Sequence, residues 1–181
     1  LNLALARAGT ALTSFELMPR IALEFDLRHL PGARDPLSSL HPWYVLAEIF
    51  GDDDTRTREL MESLLADGME KSLATDATIA ESVEQRNMLW KLRTGMSDVQ
   101  KPEGGSIKHD ISVPVSSVPA FVKEATAEVE HMIPGARVVA FGHLGDGNLH
   151  YNVSQPVGAD KAKFMAKWED VNEAVHAIVA K

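Results

Sequence analysis

Residues 136–154 of the chain read ARVVAFGHLGDGNLHYNVS and contain its clearest structural pattern. Two short runs rich in β-branched and aromatic residues flank residues 145–148, which readily accept the positive φ values of a tight hairpin turn. The pattern predicts two antiparallel strands joined by that turn. Polar and apolar residues alternate along the second strand, so we expect Asn148, His150 and Asn152 on one face of the sheet and the intervening apolar residues on the other.

Two histidines lie at the ends of the predicted turn, His143 before it and His150 after it. Facing positions in an antiparallel pair are about 4.5–5.5 Å apart, so the separation in sequence can become a short distance in space. Two neutral imidazoles on a rigid hairpin make a good partial site for Zn²⁺ or a similar divalent ion, which would still need a third protein ligand. The spacing alone leaves another interpretation open, in which both are ordinary hydrogen-bonded surface residues.

Composition narrows the class of protein. The 181 residues suffice for one domain with a real core, and their apolar share of 45% and charged share of 24% are ordinary for a globular chain. A net charge of −8 argues against a nucleic-acid or anionic-membrane surface. Cysteine is absent, which excludes disulfides and thiolate metal sites, so a transition metal would need histidine and carboxylate ligands. No apolar run approaches the length of a membrane span.

The periodicity of the chain predicts an α+β domain, with one largely antiparallel sheet covered by helices. Six segments have strand patterns: residues 11–18, 43–51, 76–82, 108–115, 136–144 and 148–154. Helical patterns occupy residues 1–9, 19–30, 55–73, 81–96, 119–133 and 164–178. The acidic run at residues 52–54 precedes a helix, so we interpret it as a cap rather than a metal site.

Three motifs in order make the chain recognisable. GHLGDGNLH (142–150), KHDISVPVSSVPAFV (108–122) and WKLRTGMS (90–97) resemble the C-terminal domain of FAD-linked oxidases of the D-lactate, D-2-hydroxyglutarate and glycolate-oxidase-subunit-D type. SFELM (14–18) and WYVLAEI (43–49) support the resemblance, which covers essentially the whole chain. It implies a ferredoxin-like α+β fold. It also implies that residues 1–181 are a substrate- and metal-binding cap domain, truncated at both ends, with the FAD-binding domain outside the chain.

The resemblance assigns roles to the two histidines of the hairpin. His143 and His150 would be ligands of a divalent metal, expected to be zinc. A glutamate ligand and a histidine base are expected downstream of Lys181, so no catalytic residue is expected within this chain. The other candidate histidines match no motif, and we predict that they are surface or core residues: His41, His109, His131 and His176.

The resemblance also implies four substrate-binding residues. Arg93 and Lys108 would bind substrate carboxylates, Arg93 through its planar fork and Lys108 as a point charge. Ser97 stands where the 2-hydroxyglutarate enzymes usually have Thr, and its spacing from Arg93 would put both on one helix face. Asn148 would lie beside the metal, and we expect Asp110 to orient a neighbour. From the residues alone, a solvated arginine and an edge-strand lysine remain the alternative.

The implied function is that of an FAD-dependent dehydrogenase that oxidises a D-2-hydroxy acid, such as 2-hydroxyglutarate or lactate, to the 2-oxo acid. FAD would sit mainly on the missing domain, the isolated chain would be inactive, and the electron acceptor is left open, as is a homodimer. A cytoplasmic location is expected, with peripheral membrane attachment through the acceptor as the alternative. Two other classes are weighed: a flavin-independent metal hydrolase that uses the histidine pair, and a non-catalytic binding or dimerisation module.

Overall fold

The computed structural model describes residues 1–181 and contains one five-stranded sheet. The strands are β1 (Leu12–Pro19), β2 (Trp43–Ile49), β3 (Ser106–Ser112), β4 (Arg137–His143) and β5 (Asn148–Ser154). Their order is β2-β1-β4-β5-β3, and every neighbouring pair is antiparallel. This architecture confirms the predicted α+β fold with an antiparallel sheet.

The predicted hairpin forms from β4 and β5. Gly147 adopts a φ of 76° in the turn, and a Cβ at that position would collide with the carbonyl oxygen of Val113, so only glycine fits. His143 pairs with Asn148, and Phe141 pairs with His150. The sequence suggested that the two histidines face each other across the strand pair. They are instead diagonal neighbours on one face, for which a Cα separation of about 7–8 Å is typical.

Seven helices connect or cover the strands. They are α1 (Asn2–Ala8), α2 (Arg20–His29), α3 (Asp54–Glu70), α4 (Val83–Gly95), α5 (Val118–Met132), α6 (Lys161–Met165) and α7 (Trp168–Val179). The Asp53 carboxylate accepts a hydrogen bond from the backbone N–H of Arg56 at 3.0 Å, which confirms the predicted cap. None of these helices combines the length and the apolar character that crossing a bilayer requires.

The last predicted helix is split into α6 and α7 by a turn at residues 166–167. The turn lets Phe164 at the end of α6 and Val171 on α7 enter the same core, where their exposed fractions are 4% and 0%. Trp168 is the first residue of α7 and stays 46% exposed. One continuous helix was therefore the wrong interpretation of this apolar period.

The predicted strand at residues 76–82 is also wrong, because this segment is irregular backbone between α3 and α4. Its polar side chains bond locally: the Asp76 carboxylate accepts from the N–H of Ala77 at 2.8 Å, and the Ser82 hydroxyl accepts from the N–H of Gln85 at 3.2 Å. Such bonds offer the backbone an alternative to a strand ladder. Ser82 thereby caps α4, the helix that carries Arg93.

Each face of the sheet has its own core. The larger core joins β3, β4 and β5 to α5 and α7, through residues such as Leu149 and Tyr151. The second core lies under α2 and α4 and includes Phe25, Leu92 and Phe141. Helices α2 and α4 pack on β1, β2 and β4. Lys108, Asp110 and Ser112 of β3 are exposed on that same face, so this part of the sheet is open.

Candidate functional site

His143 is the last residue of β4, and its ring is held by a buried carboxylate. Glu16 faces it across the β1–β4 pair, and the distance from Glu16 Oε1 to His143 Nδ1 is 2.7 Å. The Glu16 side chain is 3% exposed, whereas the His143 side chain is 55% exposed. The imidazole is therefore anchored at its inner nitrogen and open to solvent beyond it.

His150 has a similar partner on the other side of the hairpin. Asp110 faces it across the β3–β5 pair, and Asp110 Oδ1 contacts His150 Nδ1, as expected of a residue that orients a neighbour. A carboxylate only accepts hydrogen bonds, so Nδ1 must carry the proton in each ring, and a neutral ring then has its lone pair on Nε2. Neither Nε2 atom is engaged by another side chain. This carboxylate–histidine arrangement is the one that metal-ligating imidazoles adopt.

The donor chemistry of the hairpin therefore fits part of a divalent metal site. The two Nε2 atoms are borderline donors of the kind that Zn²⁺ prefers. The chain does not gather three histidine, aspartate or glutamate side chains into a group that could hold a metal ion. The two imidazoles are thus a partial donor set, and a complete shell would need donors beyond them.

Arg93 is less free than the sequence suggested. Its Nε donates to Glu16 Oε2 at 2.8 Å, and its side chain is only 9% exposed. The guanidinium carbon lies 5.1 Å from the centre of the Phe141 ring, which in turn lies 5.0 Å from the His150 ring. Much of the charge of Arg93 is compensated inside the protein, and only its terminal nitrogens remain for a ligand.

Ser97 and Lys108 meet at the open part of the face. Lys108 Nζ donates to the backbone carbonyl of Ser97 at 3.2 Å, and no carboxylate pairs with this ammonium group. Helix α4 ends at Gly95, so Ser97 lies in the turn beyond it and does not share a helical face with Arg93. That part of the sequence interpretation is wrong. Lys108 lies on the edge strand β3 and is the exposed, unpaired cation of the site.

Two asparagines of β5 lie on this face of the sheet, Asn148 and Asn152. Asn148 is at the turn, where its side chain donates to the Ser112 hydroxyl at 3.3 Å. Asn152 is 2% exposed and lies opposite Lys108 on the same face, and its amide makes no hydrogen bond within the chain. The strand alternation already placed Asn152 beside His150, so this signal could have identified it.

An open depression of about 380 Å³ lies beside His143, with Trp90 on its wall. The Trp90 indole Nε1 donates to Glu48 Oε2 at 2.8 Å. Arg86 donates to the same oxygen from Nε at 3.1 Å and from Nη2 at 2.9 Å. A second carboxylate–arginine pair thus joins α4 to the sheet, with no histidine in it.

Three of the other histidines, His109, His131 and His176, lie away from this face, whereas His41 lies on the side of the second core, edge-on to Tyr44 with 5.8 Å between the ring centres. His109 is buried on the opposite face, where its Nδ1 donates to the carbonyl oxygen of Tyr151 at 2.8 Å. Burial lowers the pKa of His109. His176 stands edge-on to its ring at 5.8 Å, and His131 is exposed on α5. These positions agree with their interpretation as surface or core residues.

Similarity to known proteins identifies the family. The family described as FAD linked oxidases, C-terminal domain, matches residues 3–181. The chain belongs to this family. Relatives of this FAD-linked oxidase domain include the mitochondrial D-2-hydroxyglutarate dehydrogenase of Arabidopsis thaliana, which is 35% identical over 153 residues, or 84% of the chain. The D-2-hydroxyglutarate dehydrogenases of Xanthomonas citri pv. viticola and Stutzerimonas stutzeri are 36% and 38% identical over 92% and 94% of the chain.

The relatives are much longer than this FAD-linked oxidase domain. The matches cover 27% of the Arabidopsis protein, 34% of the Xanthomonas protein and 36% of the Stutzerimonas protein. The domain thus spans about a third of the length of the relatives that it matches. Their names describe whole dehydrogenases, and only the matched third of each relative corresponds to this chain.

Proposed function

We propose that the protein carrying this chain is an FAD-dependent dehydrogenase that oxidises a D-2-hydroxy acid to the 2-oxo acid. The single observation that carries the proposal is the pair of imidazoles His143 and His150, each bound at Nδ1 by a carboxylate and free at Nε2. They share their face of the sheet with the unpaired cation Lys108. The names of the relatives and the family support the same reaction.

In this proposal, His143 and His150 are two ligands of a divalent metal, with zinc favoured by the nitrogen donors. The metal would act as a Lewis acid toward the hydroxyl and carboxylate oxygens of the substrate. FAD, bound by the remainder of the protein, would accept the hydride. Because each ring is bonded through Nδ1, its Nε2 atom is the one available to the metal. The third ligand and the base would come from outside this chain.

Lys108 and Arg93 would divide the task of binding substrate carboxylates. Lys108 is exposed and forms no ion pair, although the Asp98 carboxylate is near enough for a Coulombic interaction, so its positive charge is largely available to a ligand. Arg93 offers only its terminal nitrogens, since Glu16 occupies its Nε. Ser97 and the buried amide of Asn152 would add hydrogen bonds at the same face. Two cationic groups suit a dicarboxylate such as D-2-hydroxyglutarate better than a monocarboxylate such as lactate, and we propose that class of substrate.

The experiment uses the protein that carries this chain, purified with its flavin. Oxidation of D-2-hydroxyglutarate, D-lactate and malate is followed with an artificial electron acceptor, and bound metal is measured in parallel. His143→Ala and His150→Ala are each expected to lower metal affinity by more than about 100-fold and to abolish turnover. His131→Ala, an exposed histidine on α5, is the matched control and should change neither.

Two results would contradict this function. Full turnover and full metal content in both hairpin variants would indicate a non-catalytic module. Metal-dependent hydrolysis without flavin would indicate the hydrolase, which needs an additional carboxylate ligand within the chain. The absence of any cluster of three donors in the structure disfavours that alternative.

A further inference from the structure

We propose that Glu16 is a positioning residue, which sets the tautomer and the orientation of His143, and that Arg93 fixes the direction of the Glu16 carboxylate. The inference rests on the proposed function in one respect, since it takes His143 as a metal ligand. It adds a residue to which neither the hairpin motif nor the similarity to relatives assigns a role.

The two oxygens of Glu16 have different partners. Oε1 lies 2.7 Å from His143 Nδ1, and Oε2 lies 2.8 Å from Arg93 Nε. Both partners are donors toward an acceptor-only carboxylate, so the proton of a neutral His143 ring must be on Nδ1. The Nε2 lone pair is then directed away from the sheet, where a metal ion could reach it.

The surroundings hold this arrangement in place. The Glu16 and Arg93 side chains are 3% and 9% exposed, so neither has water as an adequate substitute partner. Arg93 also packs against Phe141, with 5.1 Å between the guanidinium carbon and the ring centre. Separating the two side chains would leave each buried charge uncompensated, which is costly. The pair is therefore expected to keep a single geometry.

The isosteric substitution Glu16→Gln is expected to change the tautomer of His143. Arginine has donors only, so the new amide oxygen must face Arg93 Nε and the new NH₂ group must face His143. The NH₂ group is a donor, and it favours the His143 tautomer that accepts at Nδ1 and carries its proton on Nε2. That tautomer cannot ligate a metal through Nε2. The substitution therefore inverts the tautomer while it preserves shape.

The chain supplies a matched control. Glu48 on β2 pairs with Arg86, which lies seven residues before Arg93 on the same helix α4. Glu48 Oε2 accepts from Arg86 and from the indole N–H of Trp90, whereas Glu16 accepts from Arg93 and a histidine. Glu48→Gln removes a carboxylate from a strand–helix pair without touching the proposed metal ligand, although the Glu48 and Arg86 side chains are more exposed, at 27% and 56%.

The test measures Zn²⁺ affinity by competition with a chromophoric chelator, and the histidine tautomer by ¹⁵N NMR, in the protein that carries this chain. Glu16→Gln is expected to weaken Zn²⁺ binding about 10- to 100-fold and to move the His143 proton from Nδ1 to Nε2. Glu48→Gln should stay within about threefold of wild type and keep the wild-type tautomer. The tautomer and the Zn²⁺ affinity are the deciding measurements, because Glu16 also contacts Arg93 and a change in KM would not separate the two effects.

Should Glu16→Gln fail to fold, the double variant Glu16→Leu with Arg93→Met removes both buried charges together, which avoids an uncompensated charge. It is expected to lose the fixed tautomer and about tenfold in Zn²⁺ affinity. Wild-type affinity and tautomer in either variant would overturn the role of Glu16. If His143→Ala abolishes Zn²⁺ binding in the same series, only this inference fails. If His143→Ala binds Zn²⁺ normally, the proposed function fails as well.

Discussion

The two histidines of the hairpin have the same chemistry and different supports. His143 is bound by Glu16, whose side chain is 3% exposed and is backed by Arg93. His150 is bound by Asp110, whose side chain is 76% exposed and forms no other ion pair. The difference shows that one half of the site is built into the core of the domain, whereas the other half is held at an open surface.

Burial should also make the two supports unequal in stability. Glu16 compensates an arginine that water hardly reaches, whereas Asp110 is free to exchange its histidine for solvent. Buried pairs are strongly destabilised by loss of one partner, and exposed pairs contribute little. Three substitutions, taken from the largest expected effect to the smallest, test whether this contrast is real.

Glu16→Ala should have the largest effect. It leaves the buried Arg93 guanidinium without its carboxylate, and we expect the free energy of unfolding to fall by about 3–5 kcal/mol. Urea denaturation at neutral pH measures the change. A loss below 1 kcal/mol would show that Glu16 contributes no more to stability than the exposed Asp110, and it would contradict the proposed difference between the two histidine supports.

Asp26→Asn should have the next largest effect and should appear as a change in pH dependence. Asp26 is fully buried with no hydrogen-bond partner for either oxygen, and burial raises the pKa of its carboxyl group to about 7. Between its ordinary pKa of about 4 and about 7, the folded state keeps a proton that the unfolded chain has lost. The free energy of unfolding therefore falls as the pH rises through this range, by up to about 1.4 kcal/mol per pH unit.

The isosteric amide has no proton to lose, so Asp26→Asn should flatten this slope and gain most over wild type above pH 7. Unfolding free energies measured at pH 5 and pH 8 for both proteins test it. Identical slopes would show that a buried carboxylate without a partner behaves like an exposed one. Burial would then be no reason to expect a larger effect at Glu16 than at an exposed carboxylate.

Asp110→Asn should have the smallest effect. Its exposed contact with His150 contributes at most about 1 kcal/mol to stability, and the amide oxygen can still accept from Nδ1 because no arginine constrains its direction. We expect unchanged unfolding and a loss in Zn²⁺ affinity of less than about tenfold. An effect as large as that of Glu16→Gln would indicate that both arms are equally fixed, and it would remove the asymmetry.

Local patterns in the sequence were sufficient for the hairpin and its polar face. The glycines at the turn and the alternation after Asn148 act over a few residues, so they specify the turn and the polar face directly, whereas the pairing of His143 with Asn148 rather than His150 came only from the structure. The support of His143 could not be found in this way. Glu16 is 127 residues from His143 and 77 from Arg93, and only the pairing of β1 with β4 and the packing of α4 bring the three together.

The errors of the sequence analysis have the same cause. Residues 76–82 have the composition of a strand, but local bonds from Asp76 and Ser82 satisfy the backbone where no neighbouring strand is offered. Arg93 looked like a free anchor because its buried carboxylate partner is remote in sequence. Hydrogen-bond partners decided both cases, local ones at residues 76–82 and a remote one at Arg93, and hydrophobic periodicity shows neither kind.

The most direct test of the central claim is the ¹⁵N NMR signal of the His143 and His150 imidazoles as Zn²⁺ is added to the protein that carries this chain. Signals are assigned by their loss in His143→Ala and His150→Ala. We predict that both rings carry their proton on Nδ1 before Zn²⁺ is added, and that Zn²⁺ shifts the Nε2 signals of both rings together. A proton on Nε2 in either ring, or Zn²⁺-dependent shifts confined to other histidines, would contradict a metal site held by this hairpin.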